Sequence, residues 1–205
     1  MRTNAWTPAA PDLRVLWDEA PWGSLARRVM RTFGLRTMKL SIREYRDSDL
    51  GVCKRLWAEL TERHRLIYDD QTIGGADPGS GIEDYLRNPR RHATWVAEAD
   101  GQVVGMTGLI VRGTEAEIEP AVVTAACRSR GIGRALVARA VDEAKRIGIR
   151  FLSVHPVARN VDAFSFFVTC GFGIVGHVDL FQDLAPSKGR QWKDGIMIHG
   201  RNLRY

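Results

Sequence analysis

Residues 128–134 read Arg-Ser-Arg-Gly-Ile-Gly-Arg, between a strand-like run and a helix-like run. Such a stretch can hold a phosphate. Glycine lets the backbone turn sharply and lets a ligand approach closely. The first turn of the next helix leaves N–H groups unpaired, and its dipole adds partial positive charge. Arg128, Arg130 and Arg134 add cations, so a pyrophosphate is the natural guest. The spacing is not Walker A, because no Gly-Lys-Ser/Thr follows, nor is it G-x-G-x-x-G. An ordinary strand–helix turn with solvated arginines has the same spelling. Upstream, Glu117 and Glu119 lie two apart on a strand and hence on one face. Carboxylates there could take up protons. Two solvated strand carboxylates would look identical. Cys127 adjoins the turn, but no neighbouring histidine activates its thiol. His64, His92, His155, His177 and His199 show no catalytic spacing.

The elements that must position these residues are legible in the hydrophobic pattern. Residues 40–45 alternate as a strand. Asp47 is suited to cap the next helix, with Asp49 in its first turn. Leu50, Cys53, Leu56, Trp57 and Leu60 keep helical period to about Glu62. Residues 69–81 are rich in glycine and aspartate and form a loop. A short helix over 82–87 ends before Pro89. Strands over 93–99 and 102–112 flank Asp100-Gly101, a strong hairpin signal. A strand over 116–124 feeds the glycine turn, and Pro120 should bend or bulge it. A helix over 131–147 follows, stopped by Gly148. A short buried strand over 151–155, a helix over 160–170 closed by Gly171, and strands over 172–184 and 196–205 complete the chain. This order calls for a mixed α/β sheet with helices on both faces.

Composition narrows the function classes. The chain has 205 residues, 44% hydrophobic and 26% charged, which suits a globular protein with one core. No apolar run approaches a membrane span, and the N-terminus lacks a secretory core, so a cytoplasmic protein with no membrane partner is expected. The net charge of +6 is modest and spread out, which argues against a nucleic-acid partner. About half of it lies in residues 1–37, where six arginines meet three acids. That segment is expected to be a poorly ordered or loosely docked extension ahead of a domain over 38–205. Cys53, Cys127 and Cys170 form no zinc spacing, and no metal centre is expected.

Arg128-x-x-Gly131-x-Gly133 resembles the acetyl-CoA motif of the GNAT N-acetyltransferases, commonly written Q/R-x-x-G-x-G/A. Ala135-Leu136-Val137 continues the helix in the family manner. Asn160-Val161-Asp162-Ala163-Phe164-Ser165-Phe166-Phe167-Val168-Thr169-Cys170-Gly171-Phe172 resembles the family's Asn-x-x-Ala-x-x-Phe-Tyr-x-x-x-Gly-Phe block. Two motifs in order, separated by a strand, are far more specific than either alone. The resemblance covers about residues 38–205.

The resemblance implies a GNAT-like, mostly antiparallel twisted sheet of about six to seven strands with about four helices. It implies acetyl-CoA as cosubstrate and a primary amine of a small molecule or peptide as acceptor. Backbone groups at Val122 and Val123 would pair with the pantetheine arm. The N–H groups of Arg128, Ser129, Arg130, Gly131, Ile132 and Gly133, with Arg134, would hold the pyrophosphate. Asn160 would meet the cofactor from the other side. Glu117 aligns with the catalytic glutamate of the histone-acetylating branch, and Glu119 is the second candidate base. Phe167 stands where many family members carry an acidic tyrosine, and phenylalanine has no proton to give. This departure keeps a second reading open: a catalytically weak acetyl-CoA sensor or regulatory module. The acceptor pocket would lie between loop 68–79 and the last hairpin, where acidity suits a cation. A homodimer is compatible with all of this.

Overall fold

The computed structural model describes residues 38–184 and 192–205. Residues 1–37, expected to form an N-terminal extension, lie outside the described residues. The elements in chain order are β1 (Leu40–Glu44), α1 (Leu50–Tyr68), α2 (Gly81–Arg87), β2 (Arg91–Ala99), β3 (Gln102–Arg112) and β4 (Glu115–Val123). There follow α3 (Ile132–Arg146), β5 (Phe151–Ser153), α4 (Val161–Thr169), β6 (Asp194–Ile198) and β7 (Arg201–Arg204). The first five strands form one sheet in the order β1-β2-β3-β4-β5. Every pair is antiparallel except β4 and β5.

Period-two alternation sorts the strand residues into two cores. Val96, Met106, Ile110 and Val122 pack with Cys53 and Leu56 of α1 and Ile82 and Tyr85 of α2. Trp95, Leu109, Ala116 and Ile118 pack with Val137, Ala140 and Ala144 of α3 and with Phe167 of α4. The apolar stripes of the helices thus cover both faces of the sheet, as the mixed α/β reading requires.

Some expected elements differ. α1 runs past Glu62 to Tyr68 and ends where Asp69 turns left-handed at φ 51°. Arg65 holds that end: its Nε donates to the Ile73 carbonyl and its Nη2 to the Gly75 carbonyl. Asp47 makes no cap; Asp49 instead accepts the Arg46 N–H and both terminal nitrogens of Arg43. Residues 172–184 form no strand. Their β-like composition finds no ladder partner, and an unpaired strand has nothing to satisfy its backbone. Residues 196–205 are not one strand either. The chain reverses at His199 and Gly200, both at positive φ, so β6 and β7 pair with each other as a separate sheet. Among the described residues the main sheet has five strands, and the β6–β7 hairpin brings the strands to seven. Phe151, expected buried, is 58% exposed at the sheet edge.

Candidate active site

β4 and β5 pair only from Glu115↔Phe151 to Glu117↔Ser153. Beyond that point β5 stops, while β4 continues along β3 to Val123. The two strands therefore part, and one edge of β4 is left without a strand neighbour among the described residues. The register of β3 against β4 also slips here. Leu109 faces Ile118 and Thr107 faces Ala121, so Glu119 and Pro120 together oppose Gly108. This is the expected bulge at Pro120. Gly108 is required there, because a Cβ would collide with the Tyr85 hydroxyl and come within 2.6 Å of the Glu119 carbonyl.

β4 leads into the glycine turn through a short 3-10 turn, Ala125–Cys127. Ser129 and Gly131 both adopt positive φ, at 59° and 79°. Left-handed residues alternating with ordinary ones turn successive N–H groups inward and make an anion-binding concavity. α3 begins directly after, with no side chain capping its N-terminus. A Cβ on Gly131 would meet no described residue within 4 Å, so this side of the turn is open among the described residues. Gly133 differs: a Cβ there would lie 3.2 Å from Phe166 Cζ, so this glycine lets α3 pack closely on α4. Thr124 N–H donates to the Val104 carbonyl across β3, so the Val123 groups alternate to the open edge. Arg128 Nε takes the Val123 carbonyl there at 2.9 Å.

The family model described as the Acetyltransferase (GNAT) family matches residues 55–172, which contain the parted strands, the turn and α4. The chain belongs to the GNAT acetyltransferase family. An uncharacterized N-acetyltransferase of Escherichia coli K12, YjgM, is 29% identical over 115 residues, covering 51% of this chain and 69% of that protein. Among solved structures, a Trypanosoma brucei acetyltransferase superposes with a TM-score of 0.52 at 22% identity, covering 71% of this chain and all of that one (100%). The aminoglycoside N-acetyltransferase AAC(6')-Iy, solved in complex with CoA, superposes with a TM-score of 0.54 at 16% identity, covering 73% and 98%. These likenesses confirm the mixed α/β fold, and the family membership makes the chain an acetyltransferase.

Within this GNAT fold the other expected residues take several positions. Val122 is buried in the α1–α2 core and Val123 is half-buried at the opening. Arg130 is exposed beside the turn. Arg134 is turned to the far end of α4, where Nη1 donates to the Thr169 carbonyl and Nη2 to its hydroxyl. Asn160 caps α4, accepting the Ala163 N–H at 3.2 Å. Phe167 is an aromatic core residue, with Phe166 and Phe172 around it.

The two glutamates differ in environment. Glu117 is buried, with Arg112 Nη1 at 3.0 Å from Oε2 and His155 Nδ1 at 3.0 Å from Oε1. Glu119 reaches solvent, yet the protein around it pushes its carboxyl above the ordinary value. Loss of hydration is the main cause and the Glu117 charge adds to it; Arg112 and His155 act in the opposite direction. The Tyr85 phenol lies beneath, bonded to Thr94 at 2.8 Å, and burial pushes it up to about 12.

Sequence reasoning missed His155 and Glu59. Glu59 of α1 accepts the Thr124 hydroxyl and the Ala125 N–H, just ahead of the glycine turn. Both contacts join residues far apart in sequence, and no local spacing announces them. Cys53, buried in the core, has its thiol pushed up to about 12 and is inert. A cavity of about 690 Å³ opens beside α1; its walls include His64, Tyr68, Asp70, Val157, Asp183 and Trp192. Burial pushes the His64 imidazole below its ordinary value. Among the described residues no helix is long and apolar enough to cross a membrane.

Proposed function

We propose that this chain transfers the acetyl group of acetyl-CoA to a primary amine of a small molecule or peptide by direct attack. The observation that carries the reading is the parting of β4 and β5 beside two left-handed residues at the head of α3. An open strand edge can pair with an amide-bearing arm, and the turn beside it can hold a pyrophosphate. In this reading the Val123 N–H is the backbone group offered to the pantetheine arm, since Arg128 holds the Val123 carbonyl, while the expected Val122 groups alternate toward β3. The N–H groups of residues 128–133 face the phosphates, and Arg130 adds charge.

Arg134, Asn160 and Phe167 act more indirectly. Arg134 joins the N-terminal turn of α3 to the end of α4. Asn160 fixes the start of α4. Phe167 packs α4 against α3. All three hold the floor of the site.

Bound acetyl-CoA supplies an activated thioester. The chain must orient the amine, deprotonate it and exclude water. Glu117 and Glu119 stand at the fork of the strands, where acid–base work is needed. The cavity beside α1 combines Tyr68 and Trp192 with Asp70 and Asp183. Arg159 already covers the Tyr68 and Trp192 rings, at 4.9 Å and 5.9 Å, and it is the acidity of the walls that supports a cationic acceptor. The cavity lies between the start of the α1–α2 loop and residues 181–184 and 192, beside rather than against the last hairpin, and this supports an acceptor there. Three free cysteines fit a reducing cytoplasm.

The test has two arms. Acetyl-CoA should raise the melting temperature of the full chain, because a ligand of the native state stabilises it. A panel of amines should then release free CoA with at least one acceptor. A thermal shift without CoA release from any amine would favour the sensor reading, in which Phe167 at the usual tyrosine position marks lost chemistry. No shift at all would sink both.

A further inference from the structure

Glu117 has both oxygens engaged, by partners on opposite sides. Arg112 of β3 takes Oε2, and His155 takes Oε1 through Nδ1 at 3.0 Å. The carboxylate is only 7% exposed, so it has no open face for an amine. His155 is different. Its side chain is 61% exposed. It stands two residues past Ser153, the last residue of β5 to pair with β4, at the point where the strands part. No described residue bonds its Nε2. A histidine held through one ring nitrogen has its tautomer fixed, so Nδ1 keeps its proton for the carboxylate and Nε2 stays an acceptor. Glu119 is near enough for its charge and that of the imidazole to interact.

Resting on the transferase reading above, we propose that His155 Nε2 is the general base of acetyl transfer and that Glu117 is its positioning residue. An imidazole titrates closer to neutrality than a carboxylate and suits proton removal from an ammonium near neutral pH. The groups that face it are Arg112, Glu117 and Glu119, with the Tyr85 phenol beneath Glu119. The ammonium gives one proton to Nε2, which becomes imidazolium. The neutral nitrogen then forms the new C–N bond at the thioester carbonyl. The C–S bond breaks and its electron pair leaves on sulfur. The second proton of the nitrogen goes to that sulfur, and the imidazolium returns its proton to water.

The experiment combines pH–rate profiles with a tautomer measurement that needs no turnover. His155→Gln should lower the rate of CoA release by about 10²–10⁴-fold near neutral pH and converge on wild type at high pH, where the amine is already neutral. Glu117→Gln keeps shape, no longer fixes the tautomer and should lower the rate of CoA release near neutral pH, with less effect at high pH. In the protein without acetyl-CoA, NMR should show the His155 ring, assigned by its absence in His155→Gln, as the Nδ1–H tautomer in wild type and as a mixture of tautomers in Glu117→Gln. An unchanged tautomer in Glu117→Gln would overturn the Glu117 role. A wild-type profile in His155→Gln would overturn the base assignment and leave the transferase reading standing. A profile lost only in Glu119→Gln would do the same and hand the role to Glu119. No CoA release by wild type with any amine would overturn the transferase reading, and the assignment with it.

Discussion

Glu59 Oε1 accepts the Thr124 hydroxyl at 2.7 Å, and its Oε2 accepts the Ala125 N–H at 3.0 Å. One carboxylate of α1 thus fastens the exit of β4 just before the phosphate turn. Glutamine at this position can keep the Ala125 N–H on its oxygen and donate its amide to the Thr124 hydroxyl, but the charge assistance of both bonds is lost. Losing that assistance costs about 1.5 kcal/mol. Glu59→Gln should therefore lower Tm by about 3–6 °C and weaken acetyl-CoA binding, because the turn is less firmly placed. Melting curves with and without acetyl-CoA check both. An unchanged ligand shift in a destabilised variant would restrict Glu59 to a purely structural role.

Gly131 and Gly133 should respond differently, although one motif contains both. A side chain on Gly131 meets open space but must adopt φ 79°, which costs a non-glycine residue about 1–2 kcal/mol. Gly131→Ala should show that loss. Gly131→Asp should in addition abolish the acetyl-CoA thermal shift, since it sets a negative charge where phosphate is expected. Gly133→Ala presses a methyl group against Phe166 and should act through the α3–α4 contact. Full ligand affinity in Gly131→Asp would sink the assignment of the turn.

Alternation along β2, β3 and β4 was enough to place two cores on two faces, and the glycine turn announced itself by composition. What sequence could not show was pairing over distance. Glu117 looks like a candidate base because it lies beside Glu119 on a strand; only the fold shows that its oxygens are already taken by Arg112 and His155. The same holds for Arg134, whose charge suggested phosphate and whose bonds go to Thr169. Residues 172–184 misled in the opposite way. Their apolar, β-branched character favours strands, but propensity without a neighbouring edge does not make one. Asp47 and Asp49 are equivalent by type; the reach of Arg43 selects Asp49.

Phe167 packs in the α3–α4 core, 9% exposed, with Phe172 edge-on at 5.9 Å and Phe166 at 5.2 Å. If a missing proton donor slows departure of the thiolate, Phe167→Tyr should raise the rate of acetyl transfer with little change in acetyl-CoA affinity. The added hydroxyl enters a largely apolar cluster and should cost about 1–3 kcal/mol of stability. CoA release and ligand-dependent melting, measured together, separate the two effects. A folded variant with no gain in rate would show that Phe167 is not what limits turnover.

Glu119 yields a prediction in pH alone. Loss of hydration and the Glu117 charge hold its carboxyl above the ordinary value in the folded chain. The unfolded chain releases that proton near the ordinary glutamate value of about 4.3. A raised folded value means that the native state binds the proton more tightly. Its contribution to stability is fully present below the unfolded value and is lost as pH rises through the folded one. At neutral pH the charged Glu119 is therefore a cost, which solvent at its exposed side reduces without reversing. Glu119→Gln removes the charge and keeps the shape. It should melt higher than wild type at pH 7, and the difference should shrink as pH falls toward about 4. Melting curves of both proteins across this range, without acetyl-CoA, provide the measurement. A variant that melts lower than wild type at pH 7 would mean that Arg112 and His155 outweigh the lost hydration, and that Glu119 is held as a paired carboxylate.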